Sequence, residues 1–153
     1  MQGVRFFISL GATMNTILLP VDGSENSNRA VQRAIELSKD TGAKLLVVTA
    51  FPPIVSGNVK SFFSPEEIQS YYQEEGQKAL APAKAVLDGA GISYESEVLV
   101  GPIAQGIADY AKKKQVDTII MGTRGLGTVT GMLLGSVTTK VLSLVDIPVL
   151  LVK

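Results

Sequence analysis

The sequence predicts an α/β fold, a five-stranded parallel sheet with helices on both faces. Three observations carry that prediction. Five short apolar runs alternate with four segments of helical spacing, the order βαβαβαβαβ, which is that of parallel strands joined by helical crossovers. Most of the runs are continuously apolar, as strands buried on both faces require. Turn residues punctuate the segments at Asp22-Gly23, Gly42, Pro52-Pro53, Asp88-Gly89 and Gly101-Pro102, where glycine and proline interrupt regular structure.

The first strand is Thr16-Ile17-Leu18-Leu19-Pro20-Val21. Asp22-Gly23-Ser24 then turns and caps a helix to about Asp40, with Ala30, Val31, Ala34, Ile35 and Leu37 on one face and Gly42 closing it. Leu45 to Phe51 is the second strand. Residues 52–64, rich in Pro, Ser, Gly and Asn, read as an irregular, mobile connection. Ser64-Pro65-Glu66-Glu67 is a capping-box pattern. Its helix should reach about Leu87, with Ile68, Tyr72, Leu80 and Val86 inward, weakened by Gly76 and kinked at Pro82. Ile92 to Val100 alternates more than the other strands, as a strand near a sheet edge does. Gly101-Pro102 opens a helix with Ile103, Ile107, Ala108 and Ala111 on one face. The lysines 112–114 at its end suit the negative pole of the helix dipole. Asp117 to Met121 is the fourth strand, Ser136 to Leu144 the last helix and Ile147 to Val152 the fifth strand.

At 153 residues and 46% hydrophobic content, the chain is long enough for one domain with a real core. Residues 14–153 form that domain. Residues 1–13 are expected to be a leader outside the fold, since a second methionine, Met14, stands directly before the first strand and the leader lacks the pattern of a signal peptide. Fourteen basic and fourteen acidic residues leave no net charge, which argues against nucleic acid as a partner. No apolar stretch approaches the ~20 residues of a membrane span, so no membrane partner is expected and the expected compartment is the cytoplasm. The chain has no cysteine and no histidine, which excludes catalysis of the Ser-His-Asp or Cys-His type and removes the commonest metal ligand.

The most informative stretch is 121–139. Gly122, Gly125, Gly127, Gly131 and Gly135 fall within fourteen positions between the fourth strand and the last helix. Glycine lets backbone approach an anion closely, and the first N–H groups of a helix have no intrahelical partner. A flexible surface loop before a capped helix is the plainer reading. The hydroxyls of Ser136, Thr138 and Thr139 stand in the helix's first turn. Open parallel sheets bind ligands at the carboxyl ends of strands where the strand order reverses; if strands one and four are neighbours, Asp22 faces the glycine loop. Two phosphate motifs fail. No lysine follows Gly135 as a P-loop requires, and after Gly125-Leu126-Gly127 the next glycine comes four positions on, one too many for a dinucleotide fingerprint.

The spacing that does occur is Gly122, two residues, Gly125, nine residues, Gly135-Ser136. In it the chain resembles the ATP-binding branch of the universal stress protein family. Ile17 to Ser24 resembles that family's opening strand and turn, Val116 to Gly125 and Leu133 to Val137 its closing half, and Pro148 to Val152 its last strand. The resemblance covers about residues 14–153. It implies the strand order 3-2-1-4-5 and a Rossmann-type fold of the adenine nucleotide alpha hydrolase kind. By the same resemblance Pro20, Val21 and Asp22 line the adenine and ribose side, Ala50 lies against the base, and Met121 and Gly122 flank it. A side chain at Gly122 would then fill the adenine slot. Gly125 would contact ribose and phosphates, and Gly135, Ser136, Val137 and Thr138 would bind phosphates through N–H groups and hydroxyls. Arg124 is either a phosphate contact or an exposed loop arginine. Asp22 either helps hold Mg²⁺ or Mn²⁺ on the phosphates or forms the turn that caps the first helix.

The function expected is that of an ATP-binding stress-response protein, with ADP or AMP as other occupants, whose nucleotide changes conformation or partner choice. A slow ATPase or phosphotransferase, and a nucleotide-free dimeric scaffold, are the alternatives. The resemblance also implies a homodimer through the apolar edge strand 148–152.

Overall fold

The computed structural model describes residues 14–125, 131 and 133–153. The expected leader, and positions 126–130 and 132 of the glycine-rich stretch, lie outside the described residues. The elements are β1 (Thr16–Pro20), α1 (Glu25–Thr41), β2 (Lys44–Phe51), α2 (Gly57–Phe62), α3 (Pro65–Gly89), β3 (Tyr94–Val100), α4 (Ile103–Lys113), β4 (Thr118–Gly122), α5 (Ser136–Leu144) and β5 (Val149–Val152). All pairings are parallel, in the order β3-β2-β1-β4-β5. The order reverses between β1 and β4. That places the ends of those two strands, and the loops that follow them, side by side.

Successive strand residues point to opposite faces, and here each face meets its own helices. Ile17, Leu19, Val21, Leu45, Val47 and Ile120 pack with Ala30, Val31, Ala34 and Ile35 of α1 and Leu80, Ala83 and Leu87 of α3. Leu18, Leu46, Val48, Ile119 and Met121 pack on the other side with Ala104, Ile107, Tyr110 and Ala111 of α4 and Val141 of α5. Burying a side chain of this size contributes about 1.5–3 kcal/mol, so a shift of register by one residue would exchange the two cores and is strongly disfavoured. Burial pushes the Tyr110 phenol up to about 12, helped by the Glu97 carboxylate.

The serine caps act as their spacing predicts. Ser24 accepts the Ser27 N–H at the start of α1. Ser64 and Glu67 form a complete capping box on α3. Gly42 ends α1 at φ 74°, a left-handed position that favours glycine. The connection 52–64 differs from expectation, because Gly57–Phe62 forms the short helix α2 with no buried residue. Nothing in its sequence has an amphipathic period to announce it. The strand ends also differ: Ile92 and Ile147 lie outside β3 and β5 but pack against the cores.

Gly76 is the clearest departure. Read as a weak point of α3, it is a contact point. It is buried, and a Cβ there would stand 2.3 Å from Val98 Cγ2 and 2.7 Å from Cγ1 on β3. With both methyls in the way, no rotation of Val98 clears the space. Helix α3 continues through Pro82, which lies on its exposed side.

Gly76→Ala is expected to lower the unfolding free energy by about 1–2 kcal/mol in urea denaturation, after the helix propensity it gains. In a Val98→Ala background most of that loss should vanish. Equal losses in both backgrounds would show that the α3–β3 contact is not the cause.

Candidate functional site

Asp22, one residue beyond Val21 at the end of the first strand run, is built into the start of α1. Its Oδ1 accepts the Ser24 N–H at 2.9 Å and the Ser27 hydroxyl at 2.7 Å, and its own N–H donates to Ser27 Oγ at 3.1 Å. The turn-forming role is therefore real. The other oxygen faces the glycine loop, where a Cβ on Gly125 would stand only 2.3 Å from Asp22 Oδ2. One carboxylate thus shapes the first turn and borders the crevice. Gly125 keeps the second loop close to it.

Gly122 ends β4 on the side of the sheet that faces α1. A Cβ there would stand 2.9 Å from Asn26 Cβ and 3.1 Å from the Asn26 carbonyl carbon. This corrects the expectation for that position: a side chain at 122 would press on the α1 backbone rather than fill an apolar slot. Asn26 is buried here, and its side-chain N–H donates to the Arg124 carbonyl at 3.1 Å. The same few atoms therefore fix α1 against the loop that follows β4.

Helix α5 closes the other wall. The Gly135 N–H donates to the Thr123 carbonyl at 2.7 Å, and Thr139 N–H and Oγ1 both return to the Gly135 carbonyl. The Thr138 hydroxyl donates to the Gly122 carbonyl at 3.1 Å, and Thr138 is only 3% exposed. That hydroxyl ties α5 to β4, which leaves the backbone N–H as the group of Thr138 available to a ligand. Ser136 is exposed. In α1 and α3 a serine side chain caps the first turn, whereas Gly135 at the start of α5 provides no side-chain cap. The first-turn N–H groups of Ser136, Val137 and Thr138 have no intrahelical partner, at a pole carrying roughly half a positive charge.

These walls enclose a cleft of about 300 Å³. All twelve residues singled out from the sequence line it: Pro20, Val21, Asp22, Ala50, Met121, Gly122, Arg124, Gly125, Gly135, Ser136, Val137 and Thr138. Four others join them: Ser27, Val48, Ile103 and Ile107. Val48 lies two residues before Ala50, on the same face of β2, so strand periodicity was the available signal. Ile103 and Ile107 have the spacing of a core-facing helix stripe, and nothing in that spacing tells core from cleft. Ser27 reads as an ordinary helix residue until its bond to Asp22 is seen.

The lining divides by chemistry. Pro20, Val48, Ala50, Ile103, Ile107 and Met121 offer an apolar surface suited to a flat ring, and the N-terminus of α5 with Gly125 and Arg124 offers N–H groups and a cation suited to an anion. Arg124 Nε is buried without a hydrogen-bond partner among the described residues. No group of three or more acidic, histidine or cysteine side chains that could hold a metal occurs among the described residues. A divalent ion here would have Asp22 as its one carboxylate of the cleft lining and would need oxygens from the ligand itself.

A five-stranded 3-2-1-4-5 sheet with a cleft where the order reverses defines a nucleotide-binding-like α/β architecture. The model of the Universal stress protein family matches residues 13–153, and the chain belongs to that family. It is 39% identical over 139 residues to a universal stress protein of Thermus aquaticus, covering 90% of this chain and 98% of the relative. It is 34% identical over 137 residues to one of Methanocaldococcus jannaschii, covering 90% and 81%. Among solved structures, it matches a universal stress protein in complex with cAMP with 28% identity and a TM-score of 0.70, over 93% of this chain and 99% of that one. A universal stress protein from Lactobacillus plantarum, at 19% identity and a TM-score of 0.79, shares the fold.

Gly122→Ala is expected to destabilise the protein by about 1–3 kcal/mol, because backbone of α1 must move to admit the methyl group. Thermal unfolding measures it. A variant as stable as the parent would show that α1 yields easily, and the packing role given to Gly122 would fall.

Proposed function

We propose that this protein binds an adenine nucleotide, ATP foremost, in the cleft between the ends of β1 and β4, and acts as a stress-response regulator whose occupancy alters conformation or partner choice. The observation that carries this reading is the convergence, in one cleft, of an apolar slot with a helix N-terminus that no side chain caps among the described residues. A base stacks into the first, and phosphate oxygens accept from the N–H groups of Ser136, Val137 and Thr138. The relative solved with cAMP supports the class of ligand. Arg124 supplies countercharge to the phosphates, and Asp22 takes a share of a phosphate-bound Mg²⁺ or Mn²⁺.

Denaturing the purified protein and separating the released small molecules should yield an adenine nucleotide. If none is released, titration with ATP should still show binding. Ser136→Asp provides the sharper test. An acid in the first turn of α5 favours the helix, so thermal stability should hold or rise, while like-charge repulsion weakens ATP binding roughly tenfold or more. Unchanged affinity would remove α5 from the phosphate site.

We further propose a homodimer through residues 148–152. The two sheet edges differ: β3 exposes Glu95, Ser96 and Glu97, while β5 is Val149-Leu150-Leu151-Val152 with Leu150 exposed. Charged edges resist further pairing and apolar ones invite it. Sedimentation at micromolar concentration should give a dimer that Leu150→Lys converts to a monomer. A monomeric parent protein would end this proposal.

A further inference from the structure

Two residues of α1 that lie outside the cleft lining are joined to the loop that borders the cleft. Asn26 and Arg29 are three positions apart, so both stand on one side of the helix. The Arg29 guanidinium donates from Nη2 to Asn26 Oδ1, and Asn26 Nδ2 donates to the Arg124 carbonyl at 3.1 Å. Arg29 is exposed, whereas Asn26 is buried against Gly122. Neither lines the cleft, but Arg124 and Gly125 both do.

The order of donors decides what these contacts achieve. A carboxamide has a donor end and an acceptor end of nearly the same shape. A cation on its oxygen holds the Asn26 amide with the nitrogen toward the loop; turned over, it would set its own oxygen against that of Arg124. The Arg124 carbonyl is held in turn, and with it the whole 124–125 peptide. A trans peptide is planar, with C=O and N–H pointing in opposite directions. With the oxygen bound to α1, the Gly125 N–H is turned away from Asn26. Among the described residues that N–H donates to no protein acceptor.

Resting on the nucleotide reading above, we infer that Asn26 and Arg29 are positioning residues for nucleotide binding. They hold the 124–125 peptide so that the Gly125 N–H is a pre-set donor to the ligand, and they touch no ligand themselves. A donor fixed before binding loses little freedom when it is used, which is how such a group adds affinity. The outward side of α1 thereby becomes part of the support of the cleft.

The test combines calorimetric titration of ATP with amide NMR of the full chain. In the parent protein, saturating ATP should move the Gly125 amide proton downfield and slow its exchange. Asn26→Leu, similar in size but with no N–H to give, should lose most of that shift and bind ATP about tenfold more weakly. Arg29→Met should weaken ATP binding about threefold with little change in unfolding temperature, since the residue is exposed. Arg29→Lys, which keeps a cationic donor, should restore most of the affinity. Arg33→Met removes the same charge from the same helix, and there affinity should stay within about twofold. A purely structural role for Asn26 would lower stability and leave the Gly125 response to ATP intact. That result, or unchanged affinity in both Asn26→Leu and Arg29→Met, would overturn the inference. Equal losses in Arg29→Met and Arg33→Met would overturn it too, by reducing Arg29 to its charge. ATP binding that leaves the parent's Gly125 amide unmoved ends the inference and leaves the nucleotide reading standing. A parent protein that binds no ATP ends both.

Discussion

The contact on which the rest of the cleft depends is the meeting of Asp22 with Gly125. One oxygen of the carboxylate is committed to the backbone of Ser24 and the hydroxyl of Ser27, so the side chain cannot swing away without undoing the first turn of α1. The other lies where a Cβ on Gly125 would have to go. The loop after β4 therefore runs close to β1 because residue 125 is glycine and because Asp22 is held. Every larger side chain at 125 would push the two loops apart and open the cleft at its narrow point.

A second pair of contacts fixes the remaining walls. Asn26 packs on Gly122 and bonds the Arg124 carbonyl, and Thr138 bonds the Gly122 carbonyl from the opposite face of the sheet. Gly122 is thus held between α1 and α5. Seen this way, the glycines of the motif divide the work. Gly122 and Gly125 admit neighbouring protein atoms, whereas Gly135 has only ordinary contacts and starts a helix whose first N–H groups have no side-chain cap. Pre-set donors of this kind need little rearrangement to accept an anion, which is how a rigid site gains affinity.

Much of this was legible before any coordinates. The two serine caps and the glycine-capped end of α1 followed from capping chemistry, whereas the strand order and most of the twelve expected cleft residues came from the family resemblance carried by the Gly122, Gly125, Gly135-Ser136 spacing. What was not legible shares one physical cause. Gly76 looked like a helix defect because its reason, Val98, lies on a strand 22 positions away in sequence. Ile103 and Ile107 have the same pattern as core residues because a cleft lined by apolar side chains makes the same demand as a core. The hydroxyl of Thr138 was read as a ligand contact because its position in the first turn is right for one. Only the nearby Gly122 carbonyl shows where the hydroxyl goes.

Apart from the short helix α2, the sequence by itself determined which segments become strands and helices, that the strands run parallel, and which loops carry the chemistry. These depend on period, on turn residues and on caps, all properties of neighbours along the chain. Tertiary structure alone decided the direction in which each of those residues acts. Whether Asp22 turns inward or out, whether Gly122 makes room for a ligand or a helix, and whether the Thr138 hydroxyl meets the Gly122 carbonyl are questions of distance between segments apart in sequence. No local pattern encodes such distances, because packing sets them only when both faces of the sheet are covered.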